Sequence, residues 1–207
     1  MLVEINENNI DKRLIKQAVD ILKSGGILIL PTDTVYAMGC DLHNKKALNQ
    51  LAAMKGTRLN KVNFSILCHD LSHVSDYVKP IDRSTFKLLK QNTPGPFTFI
   101  LQANNDVPKL FDTKKKEIGV RIPNNKTVLT IIEELGHPIA TTSLHDTEDT
   151  LLDYFTDPYA IYERFMDSND IEMIIDGGNG RLETSTIVDC TGAEFEIIRQ
   201  GAGQIDI

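Results

Sequence analysis

Short apolar runs that end in proline, glycine or a hydroxyl recur along this chain, and stretches of helical spacing separate them. Ile10, Leu14, Ile15, Ala18 and Leu22 fall on one helical face, and Gly25-Gly26 stops that helix as C-terminal glycines do. Residues 27–30 (ILIL) then read as a short buried strand ended by Pro31. The spacing predicts a helix over 45–56, a strand over 63–68 and a helix over 82–89 with Asp82 as its N-cap. Strands follow over 97–101 and 118–122. A helix over Lys126–Leu135 closes at Gly136, and a strand over 138–142 feeds a polar loop. A helix over 157–166 precedes strands over 171–175, Thr186–Asp189 and 196–198. Alternation of this kind means an α/β fold with a twisted mixed sheet flanked by helices. Neither repeat nor linker divides it, so residues 1–207 are expected to form a single domain.

Bulk properties narrow the function. A net charge of −7 argues against a protein that binds nucleic acid over its whole surface, while leaving room for a local basic cavity. Cys40, Cys68 and Cys190 are odd in number and widely spaced, which fits a reducing cytoplasm. The opening MLVEINENNID is too polar for a secretory signal. No apolar run approaches the roughly 20 residues of a membrane helix.

The polar residues that follow the strands are the candidates for chemistry. After ILILP comes Thr32-Asp33-Thr34-Val35-Tyr36, in the crevice where α/β sheets usually bind ligands. From spacing alone, the simpler reading is a turn whose Thr and Asp side chains bond their own backbone. Lys55 and Arg58, in AMKGTRLNK, come as a helix ends; they suit the helix dipole, or equally a phosphate clamp. Arg121, in IGVRIP, would face solvent on an alternating strand, or pair with a carboxylate near a crevice. In PIATTSLHD a strand again ends in hydroxyls, Thr141-Thr142-Ser143, before His145. Ser185 opens STIVDC, and Arg199 ends a strand just before Gly201.

Neither a GxxxxGK[ST] phosphate loop nor a GxGxxG dinucleotide loop is present. DGGNG at 176–180 reads as a turn, and the Lys114-Lys115-Lys116 run as a solvated loop. Cys68, His69 and His73 lack a fourth ligand at matching spacing, so no metal site is expected.

In this order, GGILILPTDTVYAMG, MKGTR, NTPGPFTFIL, IGVRIPNN, PIATTSLH, IIDGG and STIVDCTG…IIRQGAG resemble the YrdC-like family, whose best-understood members are threonylcarbamoyl-AMP synthases. The likeness runs from about Ile10 to about Gly203, and NTPGPFTF and TSL look closer to the YciO branch. The chain stops where the shared domain stops, so the extra C-terminal domain of longer relatives is not expected. The resemblance implies a large concave, electropositive cavity. It implies synthesis of threonylcarbamoyl-AMP and pyrophosphate from L-threonine, bicarbonate and ATP with Mg²⁺, for modification of tRNA adenosine 37 together with partner proteins. It assigns Thr34, Tyr36, Arg121, Ser143 and Ser185 to the threonine pocket. Lys55 and Arg58 go to the ATP phosphates, as the catalytic pair, and His145 and Arg199 to the nucleotide.

Two departures fall on the ATP side. Two residues, not one, separate Lys55 from Arg58, and His145 stands where the synthases carry Asn. A neutral His donates and accepts as Asn does, with a different reach and a pH-dependent charge. Another acyl or amino acid substrate therefore stays open. So does a non-catalytic protein that holds tRNA or double-stranded RNA in the same basic cavity, through phosphate and 2′-OH contacts.

Overall fold

Leu28 and Leu30 pack into one apolar cluster, and Ile27 and Ile29 into another. That alternation, buried on both sides, marks a strand sandwiched between helical layers. The computed structural model describes residues 1–144 and 156–205. Its strands are β1 (Leu2–Glu4), β2 (Leu28–Leu30), β3 (Ala37–Asp41), β4 (Ser65–Leu67), β5 (Phe97–Gln102), β6 (Glu117–Arg121), β7 (Ile139–Ser143), β8 (Met173–Asp176), β9 (Thr186–Asp189) and β10 (Glu196–Arg199). They form one ten-stranded sheet in the order β1-β8-β2-β3-β7-β4-β6-β5-β9-β10. The pairs β1–β8, β2–β8, β4–β6 and β5–β9 are parallel and the rest antiparallel, so the sheet is mixed, as expected.

The helices are α1 (Lys12–Ser24), α2 (Lys45–Met54), α3 (Leu71–Ser75), α4 (Arg83–Asn92), α5 (Val107–Leu110), α6 (Lys126–Leu135) and α7 (Pro158–Phe165). Their ends follow local chemistry. Asp82 caps α4 by accepting from Thr85 N, and Asn125 caps α6 by accepting from Val128 N. Gly25 and Gly136 end α1 and α6 at φ of 92° and 85°, a region that favours glycine. Helices α1 and α6 lie together and cover Leu28, Leu30, Leu67, Ile139, Met173 and Ile175. On the opposite face, Phe97, Phe99, Leu101, Ile118, Val120 and Val188 join α2 and α4 in the larger cluster.

The sequence reading misses β1, β3, α3 and α5. β3 reads Ala-Met-Gly-Cys-Asp, with no β-branched run to announce it. Pairing with β2 on one side and β7 on the other makes it a strand. A Cβ on Gly39 would sit 2.8 Å from Ile139 Cγ2, so close strand packing needs the glycine there.

Candidate substrate cavity

Strand alternation builds the site. Phe97, Phe99 and Leu101 point into the core, so Thr98 and Ile100 point to the other face. Ser65, Gly119, Arg121, Thr141 and Ile187 share that face, next to the area covered by α1 and α6. There the sheet floors a polar cavity of about 160 Å³, lined also by Thr32, Ser143, Ser185 and Arg199. A larger cavity of about 520 Å³ adjoins it and shares Asn63, Ser65, Thr98 and Ile187. Its walls are apolar: Phe64, Ile100, Val107, Phe111, Ile118 and Ile198, with Lys115 and Glu117 among them. Lys115 Nζ also donates to Asn63 Oδ1.

The stretch after β2 is both a turn and a support for a buried arginine. Thr32 Oγ1 donates to Val35 O (2.7 Å) and accepts from Thr34 N (3.1 Å), the self-bonded turn read from the sequence. Asp33 and Thr34 instead turn toward Arg121. Arg121 Nη2 donates to Asp33 Oδ1 at 2.6 Å, to Thr34 Oγ1 at 2.9 Å and to Thr32 Oγ1 at 3.4 Å. The Arg121 and Asp33 side chains are only 9% and 11% exposed. The solvent-facing reading of Arg121 is thus overturned: it sits against the cavity, paired with the chain's own carboxylate. Burial lowers its pKa, and Asp33 opposes that shift. Nε is buried without a partner. Nη2 is engaged, and like Nε, Nη1 makes no hydrogen bond among the described residues, so this cavity-lining side chain keeps donors beyond those spent on the loop.

Ser185, 6% exposed, shares a hydrogen bond of 2.9 Å with Thr98 Oγ1. Arg199 donates to Ser185 O from Nη2 (2.8 Å) and Nε (3.2 Å), tying β10 to the start of β9. A Cβ on Gly201 would lie 2.2 Å from Thr184 O, so only glycine lets the chain after Arg199 return this closely. Ser143 ends β7 opposite Ala37 and lines the cavity. Lys55, the C-cap of α2, reaches Ser143 O at 3.5 Å and so stands at the rim; partial burial lowers its pKa.

The structure therefore brings Arg121, Ser143, Ser185 and Arg199 to one cavity, with Lys55 beside it. Thr34 is fully buried behind Arg121, and its hydroxyl accepts from that side chain and shares a hydrogen bond of 3.2 Å with Thr32 Oγ1. Tyr36 lies away from the cavity. Its ring is 1% exposed, and its hydroxyl donates to Gly178 O (2.7 Å) and accepts from Gly177 N (3.2 Å). It anchors the glycine turn, and burial pushes its phenol up to about 12. Arg58 is exposed and does not line the cavity. His145 lies outside the described residues. Asp33, Ser65 and Thr98 were missed as site residues. The signal for Thr98 was a polar residue alternating with two phenylalanines in FTF.

Two arginines, Arg121 and Arg199, thus line a cavity of an acidic protein, and Arg121 is paired there with Asp33. Among the described residues, no group of three His, Cys, Asp or Glu side chains is placed to hold a metal ion, and no helix is long and apolar enough to cross a membrane.

The family model described as "Sua5_yciO_yrdC: Telomere recombination" matches residues 20–201. The uncharacterized protein YciO of Escherichia coli is 35% identical over 202 residues, covering 97% of this chain and 95% of its own. The threonylcarbamoyl-AMP synthase of Nitrosococcus oceani is 30% identical over 129 residues, 62% of this chain and 69% of its own. The crystal structure of E. coli YciO superposes with a TM-score of 0.87 at 34% identity, over 99% of this chain and 97% of that one. The crystal structure of P. abyssi Sua5 complexed with L-threonine superposes at 0.86 with 26% identity, over 97% of this chain and 57% of that longer one. Fold and sequence likenesses agree: the chain belongs to the Sua5/YciO/YrdC family.

Proposed function

We propose that the polar cavity forms an adenylate: L-threonine, bicarbonate and ATP become threonylcarbamoyl-AMP and pyrophosphate. One observation carries this reading. A buried arginine, held at Nη2 by three acceptors, is left with Nη1 for the cavity, the arrangement that receives a small carboxylate. The likeness to a Sua5 structure complexed with L-threonine and to a threonylcarbamoyl-AMP synthase supports it.

In the proposed reaction the threonine amine and bicarbonate condense to a carbamate with loss of water. A carbamate oxygen then attacks the α-phosphorus of ATP, and pyrophosphate leaves. No protein nucleophile is required, so catalysis is positioning and charge stabilisation. Arg121 holds the amino acid carboxylate, with Ser185 and Ser143 offering hydroxyls around it. Thr34 acts through Arg121. Lys55 and Arg199 meet phosphate charge, Arg58 serves the outer phosphates from its exposed loop, and Mg²⁺ arrives with ATP. The adjoining apolar cavity has the room and the walls for the nucleoside. The product would pass to proteins that modify adenosine 37 of tRNA.

Burial favours this over the RNA-binding reading. Arg121 is 8% exposed, out of reach of a duplex backbone. The test is pyrophosphate release by the purified protein with ATP and Mg²⁺. Release that needs both L-threonine and bicarbonate is expected. No release, together with salt-dependent RNA affinity, would replace the synthase reading with the RNA-binding one.

A further inference from the structure

We propose that Asp33 sets the charge specificity of the cavity by competing, from inside the protein, with a ligand's negative group for Arg121. Asp33 Oδ1 lies 2.6 Å from Arg121 Nη2, and both side chains are about nine-tenths buried. The pair is therefore close to neutral as a ligand sees it. Thr32 and Thr34 already supply oxygen acceptors to the same nitrogen. A carboxylate is not needed merely to orient the guanidinium; what it adds is charge. A ligand anion at Nη1 feels the attraction of Arg121 and the repulsion of Asp33 together. Such a site admits one negative charge at that end and penalises two.

The test compares the wild type with Asp33→Asn, which keeps an oxygen acceptor and removes the charge. Affinities for L-threonine and for inorganic sulfate are measured by calorimetry and placed at the cavity by the ¹⁵N side-chain signals of Arg121. Removing a unit charge about 6 Å from the bound anion, at effective dielectric constants between about 20 and the 80 of water, strengthens binding by about threefold to a hundredfold per unit of ligand charge. L-threonine, whose ammonium group offsets part of the effect, should gain toward the lower end of that range, about tenfold at most, and sulfate more. Unchanged or weaker binding of both ligands by the folded variant would overturn the proposal. If Asp33→Asn does not fold, Asp33→Gln and Asp33→Glu serve, because they differ in charge alone. A gain by the Gln variant only is expected, and equal affinities refute it.

This inference rests on Arg121 as the carboxylate-holding group of the proposed synthase, and the two fail separately. A sulfate gain in a protein that ignores L-threonine leaves the role of Asp33 standing and sinks the synthase. Threonine-dependent pyrophosphate release with no gain of affinity does the reverse.

Discussion

Replacing Arg121 by Met tests the electrostatics of the site through folding stability. The Arg121–Asp33 pair is 2.6 Å apart with side chains 9% and 11% exposed, so solvent screens it little. Removing one partner of a buried pair costs about 3–5 kcal/mol, because the other charge stays buried without compensation. Asp33 has no reserve: Oδ1 bonds Arg121, and Oδ2 is already buried without a partner. For a chain of this size about 1 kcal/mol shifts the thermal midpoint by about 2–4 °C, so Arg121→Met should lose roughly 6–20 °C. Adding Asp33→Asn removes the stranded charge, and the double variant should recover to within about 2 kcal/mol of the wild type. Asp33→Asn alone should cost less than Arg121→Met, because the guanidinium keeps the hydroxyls of Thr32 and Thr34. Calorimetric or denaturant unfolding of all four proteins completes the cycle. A loss below about 1 kcal/mol in Arg121→Met, or no recovery in the double variant, would refute the buried-pair reasoning.

Two further tests separate scaffold from site. Tyr36→Phe removes the hydroxyl that bonds Gly177 and Gly178, and should cost about 1–2 kcal/mol in urea unfolding. L-threonine affinity should stay within about twofold of the wild type, because the ring lies away from the cavity; a large loss would return Tyr36 to the pocket. Asp82, the N-cap of α4, has its carboxyl lowered to about 2 by hydrogen bonds to Ser84 and Thr85. A depressed folded pKa stabilises above the unfolded value near 3.9 and loses that contribution as pH falls toward 2. Asp82→Asn should therefore show a shallower fall in thermal midpoint over about pH 4 to 2, and an unchanged slope would contradict the assignment.

Much of the fold is local and could be read residue by residue. Lys126–Leu135 shows its apolar stripe and its closing Gly136 in consecutive residues, and the helix spans those bounds, with Asn125 added by the structure as its cap. Thr186–Asp189 is likewise a strand with the expected limits. β3 was invisible because its strand character lies in its two neighbours. The candidate site divides in the same way. As isolated basic residues, Arg58 had the better claim to a ligand and Arg121 the simpler solvent-facing reading, yet Arg58 is exposed and Arg121 is buried against the cavity.

Amphipathic period, caps and proline stops are short-range properties, so composition and spacing by themselves determined an α/β chain with hydroxyls at its strand ends. Only the tertiary structure decided what those hydroxyls touch. Sheet pairing places the loop after β2 against the end of β6, 87 residues away in sequence, and so turns Asp33 and Thr34 from turn residues into the support of Arg121. Burial then makes that charge matter, because the attraction between Arg121 and a carboxylate grows as water is excluded, and exclusion depends on the whole chain packing around it.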